Sequence, residues 1–246
     1  MTLAYRISRM VAWMLLRFWC RARATGREQV PAEGPVLLVS NHASYLDPPL
    51  VGTWSPRQVR FLARDTLAKV PVLAGWMRSV GTVFVDRKAP AARSMQVMIE
   101  ELKAGRVACV FAEGTRTRDG DLAEFKRGLV LLAKKTGATV VPTGIEGSFK
   151  AFPRGRRVPR LFSRCTVHFG APMSASEVMA AGGLEVLRQR VAELSGQKLA
   201  VGDGEAASNS DGNEATPSAK GARSSGPESA DSDSQVPASS RETPTV

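Results

Sequence analysis

The stretch Val36-Leu37-Leu38-Val39-Ser40, followed at once by Asn41-His42-Ala43-Ser44-Tyr45-Leu46-Asp47-Pro48, decides the fold. A short apolar run that ends in polar residues reads as a buried strand. The polar residues after it then fall at the rim of a sheet, where α/β enzymes place their sites. His42 is one of two histidines in the chain, and Asp47 follows five positions later. An imidazole serves as a general base near neutral pH, and a neighbouring carboxylate fixes its tautomer. On an ideal helix, positions five apart diverge by about 140° at ~100° per residue. The pair therefore does not share a continuous helix, and Pro48 disfavours the helical conformation for Asp47. A loop is expected, with Asp47 near the start of a short helix opened by Pro48 and Pro49. Such a loop bends the carboxylate back towards the imidazole. An Asp before Pro is also an ordinary helix cap, so the rest of the chain has to decide between the two readings.

Working outward, apolar runs and amphipathic segments alternate. Val59 to Ala63, Val80 to Val85, Val107 to Phe111, Thr139 to Ile145 and Cys165 to Phe169 read as strands. Pro142, near the middle of its strand, lacks an N–H and points to an edge position or a bulge. Met95, Met98, Ile99 and Leu102 mark a helix that stops at Gly105, and Leu129 to Lys135 marks another. Ser174-Ala175-Ser176-Glu177 reads as a capping box. Leu184, Leu187, Val191 and Leu194 follow on a last amphipathic helix. This alternation predicts an α/β fold, a mixed and largely central β-sheet flanked by helices.

Both ends differ from this body. Ile7, Met10, Val11, Met14, Leu15 and Phe18 share one face of an N-terminal helix, with Arg6, Arg9, Arg17 and Arg21 mostly on the other. The uncharged run Met10 to Leu16 is far shorter than the ~20 residues that span a bilayer. Arg17, Arg21 and Arg23 interrupt the apolar region in a way a signal peptide does not. A basic amphipathic helix with Trp13 and Trp19 reads as one lying in a membrane interface, or else as one packed on the protein's own core. From Val201 onward Ser, Ala, Gly, Asp, Glu and Pro dominate, and such a segment buries too little surface to offset its ordering entropy. The expected organisation is residues 1–25 as a membrane-associating helix, 26–200 as the α/β domain and 201–246 as a disordered tail.

The net charge is +11, unevenly spread. The last 46 residues carry eight acids and three bases, so the first 200 carry 31 bases and 15 acids, a net +16. A body so basic prefers an anionic partner: nucleic acid, an anionic membrane surface or a phosphorylated substrate. Two tyrosines and no aromatic-basic motif argue against nucleic acid. The three cysteines, Cys20, Cys109 and Cys165, lack metal-ligand spacing and fit burial in a reducing compartment. No metal site and no cofactor are expected.

Phe111-Ala112-Glu113-Gly114-Thr115-Arg116 is a second polar cluster directly after a strand. Gly114 permits a tight turn, Thr115 offers a hydroxyl, and Arg116 a planar fork suited to phosphate oxygens. Arg118, Lys126 and Arg127 lie close by in sequence. Gly81 to Val85 delivers Asp86-Arg87 at a strand end. Lys150 to Arg164 interleaves bases with Phe152, Pro153, Pro159, Leu161 and Phe162, as a lipid-facing or donor-facing loop would, or simply a solvated one. There is no P-loop, no Gly-x-Ser-x-Gly elbow and no dinucleotide fingerprint. His168 sits in an alternating strand and reads as structural.

These blocks resemble the glycerolipid acyltransferase family, in particular the 1-acylglycerol-3-phosphate acyltransferases. The family's His-x4-Asp block resembles His42 to Asp47, and its Gly-x-x-Phe-x-x-Arg block resembles Gly81 to Arg87. Its Phe-Pro-Glu-Gly-Thr-Arg block is similar to Phe111 to Arg116, with Ala112 in place of the proline, and its Val-Pro block to Val141-Pro142. The blocks occur in family order between about Gly26 and Pro172. The resemblance implies acyl transfer from acyl-CoA or acyl-carrier protein, as co-substrate, to a lysophosphatidate hydroxyl. His42 would be the base and Asp47 its orienting group. Arg87, Glu113, Gly114, Thr115, Arg116 and Lys126 would form the acceptor site, with Glu113 positioning an arginine or the Gly114 turn. The implied location is the cytoplasmic face of the cell membrane, peripheral or monotopic. Another lyso-lipid acceptor, such as a lyso-ornithine lipid, and a non-catalytic membrane-binding protein stay open as alternatives.

Overall fold

A computed structural model describes residues 3–64, 74–75, 77–78, 81–85, 91–156 and 158–200. The segment from 201 onward, expected to be disordered, lies outside these residues. In chain order the elements are α1 (Leu3–Trp19), β1 (Arg23–Thr25), a 3-10 turn (Arg27–Gln29), β2 (Val36–Ser40), α2 (Asp47–Trp54), β3 (Val59–Arg64) and β4 (Thr82–Val85). Then come α3 (Ala91–Lys103), β5 (Val107–Phe111), α4 (Gly128–Thr136), β6 (Thr139–Glu146), α5 (Ser148–Ala151), β7 (Thr166–Phe169), α6 (Ala175–Met179) and α7 (Gly183–Ser195).

Among the described residues seven strands form one mixed sheet in the order β1-β7-β6-β2-β5-β3-β4. β6, β2, β5, β3 and β4 run parallel, while β7 is antiparallel to β6 and carries β1 parallel to itself. The centre is β2, and its sequence explains why. Every residue from Val36 to Ser40 is buried. Val36 and Leu38 pack with Leu16 and Cys20 and with Leu50, Val51 and Trp54 of α2. Leu37 and Val39 pack on the opposite face with Met98 and Leu102 of α3, Leu129 and Leu132 of α4, and Leu187 and Val191 of α7. A strand covered on both faces has no polar side, which is why it reads as a continuous apolar run. Gly144 of β6 is required by this packing, because a Cβ there would run into the backbone of Leu194 on α7.

Of the two positions open to Pro142, the structure has the bulge and not the edge: β6 lies between β2 and β7. Pro142 is tolerated because its ring nitrogen faces the far end of β7. There the pairing slips by one residue between Thr143↔Phe169 and Val140↔Met173. Only its carbonyl is used, accepting from Gly170 N–H at 2.8 Å. The N-terminal helix stops at Trp19, and Arg23–Thr25 form the sheet's edge strand rather than its continuation. The face of α1 opposite the apolar one is not wholly turned to solvent. Tyr5 donates its hydroxyl to Gly52 O at 3.1 Å, and Arg9 Nε donates to Thr53 O at 2.9 Å, so that α1 docks along α2.

The predicted apolar face of α1 stays uncovered. Ile7, Met10, Val11, Met14, Leu15 and Phe18 are all exposed, Phe18 by 73%. Among the described residues no helix is long and apolar enough to cross a membrane. The three cysteines are free and buried, and burial pushes the Cys109 thiol pKa up. The capping box forms as expected, with Ser174 and Glu177 each accepting the other's backbone N–H.

Candidate active site

β2 and β5 lie side by side in parallel, with Ser40 opposite Phe111. The chain therefore leaves both strands at the same carboxyl edge, and the His42 and Glu113 loops meet there. Asn41 extends the sheet beyond β2 with its side chain. Its Nδ2 donates to Ile145 O at 3.1 Å, and its Oδ1 accepts from Ile145 N–H at 2.8 Å. His42 O accepts from Thr117 N–H at 2.9 Å, tying one loop to the other.

Asp47 opens α2 and is fully buried. Its Oδ2 accepts from Ala43 N–H and Ser44 N–H, both at 2.7 Å, and from His42 Nδ1 at 2.9 Å. The loop thus wraps around one carboxylate oxygen. Because that oxygen accepts, the Nδ1 proton stays on the ring, and the Nε2 lone pair is left available. The imidazole stacks on Phe111, with centroids 4.1 Å apart and planes 19° apart. Its side chain keeps 20% of its surface exposed, so the ring is fixed at its back and accessible at its front.

Both oxygens of Glu113 are taken by backbone. Oε1 accepts from His42 N–H at 2.8 Å and Oε2 from Ala123 N–H at 3.2 Å. Burial raises the Glu113 carboxyl pKa, and these two N–H donors pull it back in part. Of an arginine and the Gly114 turn, the expected objects of Glu113, its carboxylate bonds to neither: it holds the backbone of His42 and Ala123. Ala123 is pinned in turn by Arg188 of α7, which donates to Ala123 O at 3.2 Å, Leu122 O at 3.0 Å and Ala200 O at 2.9 Å. Gly114 takes φ +74°, in the left-handed region that favours glycine, and donates to Phe111 O at 3.0 Å. Thr115 and Lys126 are exposed, with the Lys126 stem lying against Gly114.

The Arg116 guanidinium carbon sits 3.5 Å from the centroid of the Tyr45 ring, and its Nη1 is buried without a hydrogen-bond partner among the described residues. Tyr45 in turn leans on Phe152, with centroids 5.8 Å apart. The fold thus brings His42, Asp47, Glu113, Gly114, Thr115, Arg116 and Lys126 to one rim. Arg87, with Asp86, lies outside the described residues, although β4 points towards the same edge. His168 stands elsewhere, bonded to Thr25 Oγ1 at 2.8 Å and Glu146 at 3.4 Å across β1, β7 and β6. Sequence reasoning gave no role to Tyr45, Phe111 or Arg188. Tyr45 was at least signalled by its place between His42 and Asp47. The helical spacing of Leu184, Leu187, Val191 and Leu194 carries no signal that singles out Arg188.

The chain is similar to known proteins across this region. It is 33% identical over 133 residues to a chloroplastic 1-acyl-sn-glycerol-3-phosphate acyltransferase of Arabidopsis thaliana, which covers 53% of this chain and 37% of that protein. It is 35% identical over 144 residues to a lyso-ornithine lipid O-acyltransferase of Pseudomonas aeruginosa, covering 56% of this chain and 53% of the relative. The chain thus spans about half or less of these two relatives. Its fold resembles the crystal structure of the 1-acyl-sn-glycerophosphate acyltransferase of Thermotoga maritima at TM-score 0.63 and 28% identity, covering 78% of each chain. The acyltransferase family model matches residues 21–146, just over half of the 246 residues, and includes both the His42 and the Arg116 loops. The chain belongs to the acyltransferase family.

Proposed function

We propose that this chain transfers a fatty acyl group from acyl-CoA or acyl-carrier protein to the free hydroxyl of 1-acylglycerol-3-phosphate, giving phosphatidic acid. The observation that carries this reading is the His42 Nδ1–Asp47 Oδ2 bond of 2.9 Å beside the Arg116 loop. His42 Nε2 takes the hydroxyl proton as the acceptor oxygen attacks the thioester carbonyl carbon. The tetrahedral intermediate collapses, the carbon–sulfur bond breaks, and the departing thiolate takes the proton from the imidazolium. Asp47 holds the tautomer and stabilises the charged ring. Base catalysis of this kind contributes about 10²–10⁴-fold. Arg116, with Lys126, Thr115 and Arg87, takes the acceptor phosphate. The free Nη1 of Arg116 supports this assignment, because a buried donor without a partner is costly unless a ligand meets it. Glu113 and the Gly114 turn hold both loops in register.

The acceptor is a lipid, and the uncovered face of α1 supports placement on a membrane surface with the helix lying in the interface; the cytoplasmic side belongs to the same proposal. A lyso-ornithine lipid acceptor is the second reading, favoured by the similarity to the Pseudomonas relative. The test is acyl transfer from labelled acyl-CoA and acyl-carrier protein in detergent micelles, wild type beside His42→Ala, on both acceptors. Product from lysophosphatidate that depends on His42 is expected. Preference for the acceptor without a phosphate monoester would replace this reading with the second. No product with any pair would remove the enzymatic assignment.

A further inference from the structure

The segment after α5 turns back over the C-terminal end of α1. Phe162 N–H donates to Trp19 O at 2.8 Å, and Cys165 N–H to Cys20 O at 3.1 Å. The Phe18 and Phe162 rings meet edge to face at 6.4 Å, and the Arg21 guanidinium lies 5.8 Å from the Phe162 ring. Among the described residues, Arg21 and Phe162 are also the two non-glycine residues with positive φ, +43° and +57°. Strain of this kind persists where the surroundings hold it, and here each strained residue is held by the other's segment.

What the contact achieves is to bring two exposed apolar surfaces together. Val158, Leu161 and Phe162 are more than half exposed, beside Phe18 and the bare face of α1. Contiguous apolar patches with a polar rim mark interaction sites. The rim here is basic. A hollow of about 330 Å³ next to the loop is lined by Lys150, Arg160 and Arg164, with Ser163, Gly147 and one carboxylate, Glu146. Arg154 and Arg156 stand exposed on the same loop.

We infer that the 158–164 loop is a second membrane-inserting element. Leu161 and Phe162 enter the acyl region of an anionic leaflet beside α1, and Lys150, Arg160 and Arg164 take lipid phosphate groups. Apolar tips flanked by cations match a leaflet with negative headgroups: the tips leave water while the charges stay at headgroup depth. A protein partner would have to match this wide cationic rim with acidic groups and still cover α1. The inference extends the α1 surface of the proposed function but does not depend on catalysis.

The native cysteines are buried, so an introduced one can be labelled selectively. Phe162→Cys and, separately, Met14→Cys on the bare face of α1, each in the full chain, are labelled with an environment-sensitive fluorophore. Each is mixed with vesicles of phosphatidylcholine and phosphatidylglycerol, and with phosphatidylcholine alone. A blue shift at position 162 on the anionic vesicles, quenched by brominated acyl chains, is expected. A water-like signal at 162 with immersion at 14 would overturn the loop insertion and leave the α1 reading intact. Immersion at 162 but not at 14 would support the loop and remove the helix. Water-like signals at both positions would remove both. Replacing Lys150, Arg160 and Arg164 together by Glu should weaken binding to anionic vesicles by at least about tenfold, with little change on neutral ones. Unchanged affinity for the anionic vesicles would overturn the phosphate contacts.

Discussion

Arg116 lies over the ring of Tyr45, its guanidinium carbon 3.5 Å from the ring centroid. The two come from different loops, one after β5 and one inside the His-x4-Asp block. The contact thus fixes the phosphate-binding candidate to the segment that carries the base. A cation over an aromatic face is worth about 0.5–2 kcal/mol. Tyr45→Ala should therefore raise the KM for lysophosphatidate by about 2- to 30-fold, with kcat less affected. Tyr45→Phe should restore most of the loss. Steady-state kinetics with varied acceptor would check this, and an Ala variant with wild-type KM would show that the ring does not hold the arginine.

His42 and Asp47 should separate activity from stability. His42→Ala removes a partly exposed ring and should cost about 10²–10⁴-fold in turnover with little change in Tm. Asp47→Asn keeps the shape and can leave its amide oxygen on the three donors, but it removes the negative charge that strengthens those bonds and stabilises the imidazolium. It should lose activity and also about 1–3 kcal/mol of stability. Thermal unfolding beside acyl-transfer rates distinguishes the two. A stable, inactive Asp47→Asn would mean that the loop does not depend on its carboxylate.

Glu113 sets a pH dependence. Its carboxyl pKa is raised above the ordinary 4.5 chiefly by burial. The folded state therefore binds the proton more tightly than the unfolded chain. Its contribution is fully present below 4.5 and is lost as pH rises through the raised value. The stability of wild type relative to Glu113→Gln should fall as pH rises across that window. Urea midpoints measured from acid to neutrality would show it, and a rise in that difference would contradict the burial argument.

Arg188 should act at a distance. Arg188→Ala frees the 122–123 segment, and with it the Ala123 N–H that Glu113 holds. A loss of about 2–5 kcal/mol is expected from unpairing a buried, hydrogen-bonded charge's partners. The remaining folded protein should be less active. Chemical denaturation together with kcat at low temperature would test this. Full activity in a destabilised variant would confine Arg188 to folding.

The exposed face of α1 is best tested by point changes. Removing the N-terminal segment whole would also take Leu16, Cys20 and Ala22 out of the core and β1 off the sheet. Met10, Met14 and Phe18 replaced together by Ser should leave Tm nearly unchanged, since these side chains are exposed. Sedimentation with anionic liposomes should drop sharply, and unchanged sedimentation would place the membrane contact elsewhere.

The residues that were legible in the sequence act through local pattern. Val36 to Val39 announced a buried strand because four consecutive apolar residues leave it no side to turn to water. Asp47-Pro48-Pro49 announced a helix start because proline restricts its own and the preceding backbone. The bend that brings Asp47 to His42 followed from the same restriction. What the sequence could not hold was the order of strands. Pro142 signalled an edge or a bulge, because local chemistry counts only its missing N–H; the tertiary structure decides for the bulge, with that gap towards the end of β7. Glu113, Arg188 and Tyr45 take their roles from neighbours 71, 65 and 71 positions away, His42, Ala123 and Arg116. Contacts over such separations are set by the packing of strands and helices. No local pattern encodes them, because the free energy that selects them is shared across the whole core.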